Sequence, residues 1–190
     1  MHRQLGHGRA LMAIAATIHT VEIDLADSDR RVYETLALRV ARHPSESGEY
    51  LVARVLAYCM EYAEGIAFSR GVSEPDEPAI VVRDLTGAIR TWIEIGSPDA
   101  ARLHKAAKVA QRVAVYTHKD PAQLLRHLTG EKIHRAADIE LHAIDRALIR
   151  ELTARLDRRM AFGLSINEHE LYVSIGAETL TGGVTRFAIE

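Results

Sequence analysis

Glu94 is the side chain that asks the most of its surroundings. It stands inside the apolar run Trp92-Ile93-Glu94-Ile95. An ionised carboxylate is rarely buried unless a cation pairs with it or a metal ion binds it. A Glu inside such a strand therefore needs a partner. Three more acids, Asp76, Glu77 and Asp84, lie shortly before it in the chain. Two carboxylates brought to one face of a hairpin could share a metal ion through oxygen.

Strand register decides which acid can join Glu94. Ile80–Arg83 and Ala88–Ile95 read as two strands joined by a turn at Asp84–Gly87, with Gly supplying the difficult backbone angle. For a turn centred on Leu85–Gly87, paired residues have numbers summing to about 172, so Glu94 faces Pro78. Side chains alternate between faces along a strand, which puts Asp76 on Glu94's face as a diagonal neighbour and turns Glu77 away. Asp84, six residues from Pro78, lies roughly 20 Å off at about 3.4 Å per residue, and reads as a turn former. By spacing alone, Asp76 fits a site acid and a plain loop acid equally. A slip of one residue would put Glu77 in its place.

Two further candidates come from helices. Glu49 leads an apolar stripe through Val52 and Leu56 and could point at the sheet. It could equally be a first-turn acid favoured by the helix dipole, as could Glu46. Lys105 lies in the helix after Glu94 but projects away from the apolar face of Leu103, Ala106, Ala107 and Ala110, so periodicity makes it an ordinary solvated Lys. The histidines His43, His104, His118, His134, His142 and His169 are scattered, with no metal-ligand spacing among them. His118, ending a strand beside the proposed site, reads as a polar strand-end residue or a phosphate contact.

The elements that must hold these residues alternate between strand and helix. Residues 14–25 suggest a strand, and Val32–Arg42 fits strand or helix. Ser45, after His43-Pro44, is a ready N-cap for a helix reaching about Ala63. A loop covers Ser69–Pro78. Gly96-Ser97-Pro98-Asp99 opens the next helix, with Ser97 as N-cap and Pro98 at the first helical position, running to about Gln111. Strand Arg112–Thr117 follows and implies a right-handed parallel crossover. Then come a helix near Pro121–Leu128, a strand near Ile139–Ile144, a helix over Asp145–Met160 and antiparallel C-terminal strands. Residues 1–11 read as an upstream extension, and 12–190 as one domain.

Composition sets the outer bounds. A chain of 190 residues can bury one good core, and 47% hydrophobic with 26% charged residues is ordinary for a soluble globular protein. The single Cys59 excludes an internal disulfide, suits a reducing cytosol and falls among core positions, so it reads as an inert thiol. No apolar run reaches membrane-spanning length, and the N-terminus lacks a secretion signal's apolar core, so a cytoplasmic protein is expected. Between Arg102 and Arg135 stand eight Lys or Arg and two acids, Asp120 and Glu131, in a chain of net charge −2. Such a segment could face nucleic acid, or simply form solvated helix faces.

HPSES (43–47) with Glu49, FSRGVSEPDEP (68–78), WIEIGSPD (92–99), RLHKA (102–106) and VAVYTH (113–118) together resemble the motifs of the YaeQ family, which cover nearly the whole chain from Met12. The family is similar in fold to PD-(D/E)XK nucleases. The resemblance therefore implies an α/β fold of restriction-endonuclease-like class, a mixed sheet flanked by helices. It also implies a catalytic set of Glu49, Asp76, Glu94 and Lys105. Asp76, preceded by Pro75, would be the Asp of the PD element. Glu94 would be the strand acid, and these two would bind Mg²⁺ or Mn²⁺. The Lys expected two residues after Glu94 is replaced by Gly96, and Lys105 would act from the next helix. Glu49 would be the helix acid. Such a site implies metal-dependent cleavage of phosphodiesters in nucleic acid. The missing strand Lys favours instead a non-catalytic protein that binds nucleic acid or the bacterial transcription machinery, to which the family is linked. A structural ion-pair network is the third reading.

Overall fold

The computed structural model describes residues 15–69 and 76–189. The proposed extension at 1–11 and most of the loop before Asp76 lie outside the described residues. The chain opens with an antiparallel pair, β1 (Thr17–Asp27) and β2 (Val32–Arg42), matched along their full lengths from Thr17–Arg42 to Asp27–Val32. That pairing resolves Val32–Arg42 as strand. Helix α1 (Gly48–Met60) follows, then β3 (Ile66–Phe68), β4 (Ile80–Arg83) and β5 (Ile89–Ile95). Helix α2 (Ala100–Val109) crosses to β6 (Arg112–Thr117), and α3 (Pro121–Leu128) leads to β7 (Glu140–Ile144). Helix α4 (Arg146–Ala154) and strands β8 (Arg159–Asn167), β9 (Glu170–Ile175) and β10 (Glu178–Phe187) complete the chain.

All ten described strands join one mixed sheet in the order β2-β1-β8-β9-β10-β7-β6-β5-β4-β3. The pairs β1–β8, β5–β6 and β6–β7 are parallel and the rest antiparallel. Strand β10 links the halves: residues up to Gly183 pair with β9, and those from Val184 pair with β7. At the change, a Cβ on Gly182 would lie 2.8 Å from the Cβ atoms of Asp145 and Leu148, so only Gly lets α4 sit this close.

Two cores result. One gathers Val21 and Ile23 of β1, Leu38 of β2, Ile93 and Ile95 of β5 and Leu164 of β8 around α1 and α4. Strands from both halves of the sheet thus face one core, so the sheet wraps toward a barrel. The other core packs Trp92 of β5 and Val113 and Val115 of β6 against α2 and α3. Strand β5 is therefore covered on both faces: Ile93 and Ile95 look toward α1, while Trp92 and Glu94 look toward α2.

Three boundaries differ from the sequence reading. Helix α1 is capped by Ser47, whose Oγ accepts from the Tyr50 amide at 3.0 Å, while Ser45 bonds the His43 ring instead. Helix α2 is capped by Asp99, which accepts from the Arg102 amide at 2.8 Å. Ser97 and Pro98 fall before the helix because Gly96, at φ +89°, is still turning the chain out of β5. Helix α4 stops at Ala154 rather than running to Met160, and Arg159 and Met160 instead start β8, claimed by parallel pairing with β1 from Thr20–Arg159 onward.

Candidate functional site

The end of β5 and the start of α2 build the site. Glu94 is 4% exposed. Its Oε1 accepts from the Trp92 indole at 2.5 Å, two residues back on the same face, and from Arg102 Nε at 2.7 Å. Arg102 sits in the first turn of α2, and its Nη2 also donates to the Glu77 carbonyl at 2.5 Å. Burial pushes the Glu94 carboxyl above its ordinary value, while Arg102 and the Trp92 bond pull it back.

Asp76 reaches this same side. Its Oδ1 forms an ion pair with Lys105 Nζ one turn further along α2. That bond and charge, with a smaller pull from Arg102, hold the Asp76 carboxyl below the usual range. Both groups are exposed. The hairpin register differs by one from the sequence expectation. Ile80 pairs with Ile93 and Val81 with Trp92, and a bulge between Val82 and Arg83 supplies the added residue. Continued strictly, that register sets Glu94 against Ala79, not Pro78, and gives Glu77 Glu94's face. The chain has left the strand before Ala79, however, and Asp76 is the acid that meets Lys105. Asp84 is the turn former expected: its Oδ1 accepts from the Thr86 amide, the Thr86 hydroxyl and the Ala88 amide.

The structure thus brings Asp76, Glu94 and Lys105 to the α2 face of β5. Glu49 belongs to α1, which covers the opposite face, and its charge is felt by His118. Among the described residues no hydrogen bond or ion pair joins it to the other three. The physical reason is the alternation of β5: the residues facing α1 are Ile93 and Ile95, and Glu94 faces away. His118 is buried, its Nδ1 has no hydrogen-bond partner, and burial lowers its pKa. Cys59 is fully enclosed and its thiol is pushed up to about 12, as an inert core thiol requires.

Sequence reasoning did not single out Arg102 and Trp92 as Glu94's partners. A signal existed for the first: a cation in the opening turn of the helix that leaves an acid-bearing strand can fold back onto that strand. It also missed Arg112, which binds Glu61 and Glu140 together at 2.6–3.0 Å.

Among the described residues no group of three or more His, Cys, Asp and Glu side chains is arranged to hold a metal ion. Two carboxylates that already face cations are a smaller, all-oxygen donor set. Mg²⁺ is commonly held by one or two carboxylates, with water and phosphate filling its other positions; Asp76 and Glu94 offer oxygen of that kind, each already bound to a cation of the chain.

A profile of the YaeQ protein family matches residues 12–183. The chain belongs to the YaeQ family. It is 31% identical to the YaeQ protein of Escherichia coli K12 over 175 residues, 92% of this chain and 97% of the relative. The Salmonella typhi YaeQ protein is 33% identical over 164 residues, 86% of this chain and 91% of the relative. Among crystal structures, the YaeQ protein of Pseudomonas syringae matches with a TM-score of 0.81 at 28% identity, covering 92% of this chain and 97% of that one. The YaeQ protein of Xanthomonas axonopodis pv. citri matches with a TM-score of 0.77 at 26% identity, over 92% and 99%. These matches give the chain a bacterial family and a YaeQ fold. Among its described residues no helix is long and apolar enough to cross a membrane.

Proposed function

We propose that the α2 face of β5 is a rearranged PD-(D/E)XK nuclease-like site, on a restriction-endonuclease-like core, for metal-dependent cleavage of phosphodiesters in nucleic acid. The observation that carries this reading is the meeting of Lys105 with Asp76 on the face that also holds Glu94. Asp76 and Glu94 would hold Mg²⁺ or Mn²⁺. Such an ion, when bound, polarises a phosphate and makes a bound water more acidic. Trp92 fixes the Glu94 rotamer through its indole bond. Lys105, exposed and on a flexible stem, can leave Asp76 to meet a phosphate as a point charge. Arg102, held between Glu94 and the Glu77 carbonyl, keeps the loop end docked on α2.

A second reading has its own support. Each acid is already met by a cation of the chain, and Lys108, Lys119, Arg126 and Lys132 are exposed on α2, α3 and the turns beside them. A non-catalytic protein binding nucleic acid, or an assembly carrying it such as the transcription machinery, needs no more than that surface. Incubation with nucleic acid and Mn²⁺ separates the two. The enzyme reading expects cleavage lost in Lys105→Ala. The binding reading expects no cleavage and an affinity that falls steeply with salt as phosphate counterions are released.

A further inference from the structure

A cavity of about 420 Å³ shares no lining residue with the site of Asp76, Glu94 and Lys105. It lies where the β1–β2 turn, the C-terminal end of α1 and the N-terminal ends of β5 and β6 meet β7 and the β8–β9 turn. This volume suits a small molecule.

Its polar wall is a closed ion network. Arg112 donates Nε and Nη2 to Glu140, at 3.0 and 2.6 Å, and Nη1 and Nη2 to Glu61, at 2.6 and 2.9 Å. The Tyr116 hydroxyl donates to Glu61 Oε1 at 2.7 Å, and the His142 ring stacks on Tyr116 with centroids 4.7 Å apart. At the rim, Arg30 is spent on Asp27 at 2.6 Å and on the Cys59 and Tyr62 carbonyls that end α1. Asp29 accepts from the Glu168 and His169 amides.

Counting charges decides the ligand's sign. Three carboxylates line the cavity, Asp27, Asp29 and Glu61, against two guanidiniums, both committed: Arg30 to Asp27, and Arg112 to Glu61 and to Glu140. An anion entering would meet an excess of negative charge. A cation would find carboxylate oxygens, each able to accept more than one hydrogen bond. Met60, Val82, Ile166, Leu171 and Val184 supply an apolar wall, beside Thr91 and His169. A ligand for this cavity therefore has a positive, donor-rich end and a hydrocarbon stem.

We propose that this cavity is a second binding site, taking a small aliphatic amine or guanidine. The charged end meets the Glu61 and Asp27 carboxylates, and the stem lies along the apolar wall beside Val184.

Calorimetry on the full chain tests it, with butylguanidine as the cationic probe and pentanoate as an anion of similar length. Saturable butylguanidine binding that weakens with added salt is expected, with none for pentanoate. Glu61→Gln keeps an amide oxygen for Tyr116 and Arg112 but removes the charge, and should weaken butylguanidine at least about tenfold. Val184→Phe fills the apolar wall without touching the ion network and should weaken it by a similar factor. If Glu61→Gln does not fold, Val184→Phe decides. Absent butylguanidine binding, equal binding of pentanoate, or unchanged affinity in Val184→Phe each overturns the proposal.

Discussion

Arg102 and Glu94, eight residues apart, are joined by a 2.7 Å ion pair that spans the turn from β5 into α2. The pair is lopsided: the Glu94 side chain is 5% exposed and that of Arg102 27%. Glu94 is thus the member that depends on its partners, and Arg102 can still reach water. That asymmetry sets how the site should respond to substitution.

Glu94→Gln retains an oxygen to accept from both Trp92 and Arg102, and loses only a charge that burial disfavours. Its stability at neutral pH should stay within about 1 kcal/mol of wild type. Glu94→Leu strands the indole N–H and should cost about 2–3 kcal/mol. Chemical denaturation of the two variants checks this. The pH dependence has a fixed sign. Burial raises the Glu94 carboxyl, so the fold holds that proton more tightly than the unfolded chain does. Its contribution is present at acid pH and lost as pH rises through the raised value. Wild type should therefore lose stability relative to Glu94→Gln as pH climbs out of the carboxylate range.

Arg112 carries the opposite sign. It holds the Glu140 carboxyl below its ordinary value and separates it from Glu61. Arg112→Met leaves two carboxylates facing each other and should cost about 2–4 kcal/mol at neutral pH, short of the full buried-pair value because the Arg112 side chain is 36% exposed. A depressed carboxyl stabilises the fold above the ordinary carboxylate value and stops doing so as pH falls. The penalty of Arg112→Met should accordingly shrink toward acid pH, as thermal denaturation across pH can show.

The cap of α2 gives a local test. Asp99→Ala removes the oxygen that accepts from the Arg102 amide and should cost about 1 kcal/mol. Ser97→Ala should change stability by less than about 0.5 kcal/mol. A larger loss from Ser97→Ala than from Asp99→Ala would restore the cap read from sequence.

Most of the fold was legible in local patterns. β4, β6 and α3 follow from apolar periodicity and from Pro121 opening its helix after Asp120. The three-residue β3 has too few positions to show a period. Only the first two residues of β8, Arg159 and Met160, read as a helix tail, because their strand character comes from β1, more than 130 residues away. The site was legible by halves. Glu94 stands out because a Glu among Ile and Trp is costly, and its own strand determines its face. Lys105 looks like any solvated Lys, and only family resemblance selects it. Glu49 leads an apolar stripe, but nothing local says that its helix covers the other face of the sheet. The bulge between Val82 and Arg83 shifts the hairpin register, and no residue there announces it.

Under the proposed function, Asp76 and Glu94 hold a metal ion. Calorimetric titration of Mg²⁺ or Mn²⁺ should show weak binding to wild type that Glu94→Gln removes. Equal heats from the two proteins would remove Glu94 from any metal site.

The most direct measurement of the account is nucleic-acid cleavage by purified protein with Mn²⁺, run beside Glu94→Gln and Lys105→Ala at matched folding by circular dichroism. The account predicts cleavage by wild type and its loss in both variants. No cleavage by wild type, or cleavage that persists in both variants, would contradict it.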